Sequence, residues 1–123
     1  MSESNVQLAR RGYEAALGGE IDVIGGLLDP SVTWHGGDLT APGACHTREQ
    51  VLEFMRQARA GGRVGELLDV VDAGEKVVVI MRLPAASDEP ATLAANVATF
   101  RNGKVVEMVL YPDPDDALAA ATR

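Results

Sequence analysis

Apolar residues recur every three or four positions through Val6, Leu8, Ala9, Tyr13, Ala16 and Leu17. That spacing puts them on one face of a helix. Ser4 or Asn5 stands where a cap belongs, and Gly18-Gly19 ends the run as glycines end helices. A shorter helical pattern follows, with Ile21, Ile24, Leu27 and Leu28 apolar. Gly25-Gly26 weakens it by about 1 kcal/mol per glycine relative to alanine. Asp29-Pro30 closes it, because the residue before proline avoids the helical region. Ser31 to His35 then reads as a short strand, broken at Gly36-Gly37 into a loop that carries Pro42 and Gly43. A third helix is predicted from Thr47, where Thr47-Arg48-Glu49-Gln50 fits a capping box. Its apolar stripe is Val51, Phe54, Met55 and Ala58, and Gly61-Gly62 closes it.

Beyond Gly62 the period shortens to that of strands. Arg63 to Asp72 carries Val64, Leu67, Leu68, Val70 and Val71, and Ala73-Gly74 turns the chain. Lys76 to Leu83, KVVVIMRL, is β-branched and nearly unbroken, which predicts a central strand covered on both faces. Pro84 to Pro90 is a polar loop, and Ala91 to Phe100 is a further strand. Asn102-Gly103 is a strong hairpin signal that pairs Lys104 to Tyr111 back against it. Pro112-Asp113-Pro114 breaks that strand, and a last short helix is expected from Asp115 or Asp116. The order is helix, helix, short strand, helix, then four strands as an antiparallel meander. It predicts one α+β domain over residues 1–123. A curved antiparallel sheet would wrap around the long N-terminal helix and two further helices. The result is a cone enclosing a pocket for a small molecule.

The chain has 123 residues and a formal charge of −7. Its Lys and Arg residues are scattered, so a nucleic-acid phosphate backbone finds no basic patch to bind. No stretch approaches the roughly 18 apolar residues of a membrane span. One cysteine permits no intrachain disulfide, and the first residues show no apolar secretory core. Together these predict a cytoplasmic protein with neither nucleic acid nor membrane as partner.

Unusual chemistry is concentrated between Val32 and His46, VTWHGGDLTAPGACH. This stretch holds the only Trp, both histidines and the only Cys. His35 is the leading catalytic candidate, since imidazole exchanges a proton near neutral pH. On a strand Trp34 and His35 must face opposite sides. Asp38 in the loop and Asp113 after the last strand are the carboxylate alternatives, a base gaining strength under an apolar roof. Trp34, Phe54, Met81 and Met108 are candidates for pocket wall. Asn96 is the polar exception in its strand. If it faces inward with Ala94, Ala98 and Phe100, it offers a hydrogen bond to a ligand carbonyl. Tyr13 and Tyr111 each offer a phenol. Cys45, His46 and His35 lack the spacing of a zinc site, so no metal is expected. No Gly-Gly pair leads into a phosphate loop, so no cofactor is expected either.

The ordered set of segments resembles the SnoaL-like, ketosteroid-isomerase-related proteins of the nuclear-transport-factor-two-like superfamily. Three stretches carry the likeness: LLDPSVTWH after the first Gly-rich break, TREQVLEFM after the Gly/Pro loop, and ATFRNGKVVEMVLYPDPDDALAAA at the end. The resemblance implies the cone fold, a cavity and dimerisation through the sheet. It also implies one of several activities: isomerase, polyketide cyclase, epoxide hydrolase, dehydratase or plain binding. Ketosteroid isomerases keep an acidic base just after the first strand, where this chain has Val32-Thr33-Trp34-His35. The Gln-Leu-Gly run that follows the cyclases' terminal Asp is absent after Asp113.

Two functions therefore stand. One is a cofactor-independent isomerase, cyclase or (de)hydratase using general acid/base chemistry on a small apolar carbonyl or hydroxyl compound. The other is a non-catalytic ligand-binding or dimerisation domain of the same fold. A homodimer is expected on either reading, since two strands look apolar on both faces and the helices cover one.

Overall fold

The computed structural model describes residues 4–38, 40–42, 44–60, 65–83 and 92–122. The expected loop from Pro84 to Pro90 and the Gly61-Gly62 break lie outside them. Helix α1 spans Asn5–Gly18. Ser4 and Gln7 close a reciprocal capping box at its start, each side chain taking the other's backbone N–H. Gly19 ends the helix with φ +75°, a left-handed conformation that suits glycine, and a Cβ there would meet the Arg59 guanidinium at 2.8 Å. Helix α2 covers Ile21–Leu27 and α3 covers Arg48–Ala60. Thr47 caps α3 by accepting the Gln50 N–H, but the Gln50 side chain takes the N–H of His46, one residue earlier than a strict capping box.

Strand β1 runs Leu28–His35, starting at once after α2 rather than at Ser31. Pro30 sits inside it, which an edge strand tolerates because one side of its backbone needs no ladder bond. Its pairing is irregular between Leu28 and Thr33. Strands β2 (Glu66–Ala73), β3 (Lys76–Leu83), β4 (Thr92–Arg101) and β5 (Lys104–Tyr111) form the expected meander. Asn102 and Gly103, with φ +53° and +77°, turn β4 into β5 as a two-residue hairpin. Helix α4 spans Pro114–Ala121 and starts a residue or two before the expected place. Asp113 caps it and Pro114 supplies the preset φ of the first turn.

The sheet order is β1-β5-β4-β3-β2. Three of its pairings are antiparallel, whereas β1 lies parallel to β5, so the sheet is mixed. The fold is α+β. Its inner face contributes Val77, Val79, Ala98, Phe100, Val105 and Met108 to a core closed by Ala15 of α1, Ile24 of α2 and Val51 of α3. The outer face is not bare. Helix α4 crosses it, burying Ala117 and Ala121 against Val78, Ala95 and Val97. Three helices on one face was the expectation; the fourth corrects it, and its alanines are what let it lie close to the strands. No helix among the described residues is long and apolar enough to cross a membrane.

Candidate functional site

Between the inner sheet face, α1, α3 and the loop after β1 lies a cavity of about 490 Å³. Its walls are mostly apolar. Phe54 and Leu110, 40% and 37% exposed, both border it. A space this large suits a small organic molecule.

Alternation along β1 decides which chemistry enters. Trp34 lies opposite Met108 of β5, and Met108 opposite Ala98 of β4, so all three point inward. Asn96, two residues from Ala98, shares that face and borders the cavity. The Trp34 indole Nε1–H donates to the Asn96 Oδ1 at 3.2 Å. An indole nitrogen can only donate, so the atom it meets must be the amide oxygen. The Asn96 NH₂ is thereby assigned, and it has no partner among the described residues. Phe54 stacks edge-on against Trp34, centroids 4.8 Å apart at 75°.

Tyr13 reaches in from α1. Its hydroxyl donates to the Gly65 carbonyl at 2.6 Å, with the Met81 sulfur at 3.4 Å. Burial pushes the phenol up to about 12, so it stays protonated. Its single hydrogen ties α1 to the entry of β2. Met81 and Met108, both buried, complete the inner wall.

His35 borders the cavity at the end of β1, but its ring belongs to the other side. Nδ1 accepts the Gly37 N–H at 3.0 Å, and Nε2 lies 3.4 Å from the Glu107 Oε2. An Nδ1 that accepts leaves the ring proton on Nε2, facing the carboxylate. Glu107 pairs with Thr99 and Thr33, outward positions, so both nitrogens are engaged away from the cavity.

Asp38 stands at the cavity rim, fully exposed. Its Oδ1 accepts from the Thr40 hydroxyl at 2.6 Å and the Thr40 N–H at 2.9 Å. The hydroxyl, then the amide, hold its carboxyl below the usual range. Asp113 does not border the cavity. Its carboxylate accepts the Asp115 N–H at 2.9 Å as the cap of α4. Tyr111 packs on the outer face beside α4.

Cys45 borders the cavity, its backbone exchanging both hydrogen bonds with Trp34, and burial pushes its thiol up. His46 is exposed. Among the described residues no three His, Cys, Asp or Glu side chains converge as metal ligands. Leu110 and the Gly65 carbonyl are among the features of the wall not singled out in the sequence. Leu110 could not be read from the turn: Asn102-Gly103 alone would set Val109 opposite Asn96, and a one-residue register shift between Thr99 and Phe100 brings Leu110 there instead. The Gly65 carbonyl has no signal either, because a backbone acceptor leaves none.

The profile of the SnoaL-like domain matches residues 9–108. Among solved structures, a nuclear-transport-factor-two-like protein of unknown function from Burkholderia pseudomallei is 23% identical. It covers 98% of this chain and 100% of its own, at TM-score 0.70. Bal32a, from a soil-derived mobile gene cassette, is 26% identical over 97% of this chain and 96% of its own, at TM-score 0.71. A putative polyketide cyclase from Sinorhizobium meliloti is 14% identical, covers 85% and 93%, and has TM-score 0.71. No curated protein matches the chain in sequence.

Proposed function

We propose that this chain, which belongs to the SnoaL-like domain family, binds one small, mostly apolar organic molecule by its carbonyl group. That family includes polyketide cyclases and isomerases. The observation that carries the reading is the Trp34–Asn96 hydrogen bond. It fixes the carboxamide so that its NH₂ is a ready donor in an apolar space, where a hydrogen bond is stronger than in water. A carbonyl docked there satisfies the donor while the apolar body of the ligand fills the rest. The S. meliloti neighbour's description as a putative polyketide cyclase supports a carbonyl-bearing ligand.

The test is calorimetry and thermal shift with a panel of neutral aromatic ketones and esters. Asn96→Leu should bind a hit about tenfold more weakly, the loss of one hydrogen bond. A folded wild-type protein that binds none of the panel would overturn the reading.

Proton transfer is the second reading, favoured by Asp38 at the same rim. A carboxylate there is ionised at neutral pH and would take a proton from carbon next to a bound carbonyl. The resulting enolate oxygen would fall to the Asn96 amide. Isomerisation, aldol-type cyclisation and dehydration all share that step. Turnover of a bound compound that Asp38→Asn abolishes, with binding retained, is the result that would establish it.

A further inference from the structure

We infer that the cavity reads the charge of its ligand, accepting an uncharged acyl group such as a ketone, ester or lactone and rejecting the matching carboxylate. This rests on the carbonyl-binding reading above. Among the described residues that border the cavity there is no Lys and no Arg. The polar atoms inside are already disposed. The Trp34 N–H is spent on Asn96, and the Tyr13 O–H on Gly65. His35 turns its ring nitrogens to Gly37 and Glu107. Among the described side chains, what remains for a ligand is the neutral NH₂ of Asn96 at the wall and the anionic carboxylate of Asp38 at the rim.

A neutral carbonyl needs one or two donors, and one amide meets much of that need. A carboxylate needs a counter-charge or several donors before it can leave water, and an apolar cavity without either makes its transfer very unfavourable. Asp38 works in the same direction. Thr40 holds its charge in place, and an entering anion would have to pass it. The chain's net charge of −7 repels anions at longer range as well. An ester and its parent acid have nearly the same size and shape, so steric fit cannot separate them. Only the lack of a cation among the described residues of the wall can.

The experiment uses the full chain and two fluorescent probes of one skeleton, the methyl ester of pyrenecarboxylic acid and the free acid. At neutral pH the ester should bind at least about a hundredfold more tightly than the acid. As pH falls toward the acid's own pKa, its binding should rise to approach the ester's, while the ester's changes little. Asn96→Leu should weaken the ester and leave the acid's weak binding where it was. Equal affinity for both probes at neutral pH, or tighter binding of the acid, overturns the inference and leaves the cavity reading standing. Failure of both probes to bind folded protein overturns the cavity reading and this inference with it.

Discussion

His35 and Glu107 meet 3.4 Å apart on the face of the sheet that the cavity does not use. The pairing reaches the cavity all the same. With its proton toward Glu107, the ring offers Nδ1 to the Gly37 N–H, at the first bend of the loop that carries Asp38, Ala41 and Pro42 to the rim. His35 thus holds the loop from behind.

His35→Ala should therefore act on binding. We expect affinity for a cavity ligand to fall several-fold, because Gly37 loses its acceptor and the rim loosens, at a cost of about 1 kcal/mol. Far-ultraviolet circular dichroism should be unchanged. Glu107→Gln, which still accepts a hydrogen bond, should do much less. Unchanged affinity together with lost turnover of an identified substrate would instead make His35 a reacting group.

Tyr13 makes a prediction about alkaline pH. Its phenol, at 10.0 when unperturbed, is pushed to about 12 by burial. The folded state disfavours the phenolate, so the unfolded chain ionises first as pH rises. The stability that Tyr13 contributes is fully present below about 10 and is lost as pH climbs through about 12. In a Tyr111→Phe background, where Tyr13 is the only tyrosine, phenolate absorbance should appear only near that upper pH, along with unfolding. Tyr13→Phe should melt lower at neutral pH and lose the extra sensitivity between the two values. A phenolate that titrates near 10.0 in folded protein would show that the hydroxyl is not held as described.

Asp113 and Asp38 look alike as loop carboxylates next to strand ends, and the structure separates them. Asp113→Ala removes the cap of α4 and should cost about 1 kcal/mol, or about 4 °C in Tm. Ligand affinity should not change, because Asp113 does not border the cavity. An effect of Asp113→Ala on ligand binding without an effect on Tm would contradict its place as a cap.

Much of this could be read from the chain, and what could not has physical reasons. The elements were legible because period and punctuation agree, as at Asn102-Gly103 and Gly18-Gly19. That Trp34 and His35 diverge follows from alternation alone. Which of them faces inward does not, because it is set by the parallel register of β1 on β5, a contact between residues more than 70 positions apart. Pro30 misled for a related reason. It suggests a loop locally, but an edge strand can hold it. The alanines of α4 carry little hydrophobic signal, although their small size is what lets the helix seat on the sheet.

That helix bears on the last prediction. A dimer through the sheet must use the part of the outer face that α4 leaves open. Leu93 is there: it lies opposite Arg82 on the outward side and is 46% exposed. Ile80, part-buried, is on the same face. If a second copy packs on this surface, light scattering at micromolar protein should give twice the 13.0 kDa of the chain. Leu93→Lys would then set a charge in the interface and return the mass to that of one chain, with Tm little altered because the side chain packs on nothing essential within its own chain. Ala117→Asp tests the same face from the other side. A carboxylate buried among Val78, Ala95 and Val97 should displace α4, lower Tm and drive association beyond a dimer. A wild-type mass of one chain, with self-association appearing only in Ala117→Asp, would mean that α4 has taken the place a partner copy would occupy.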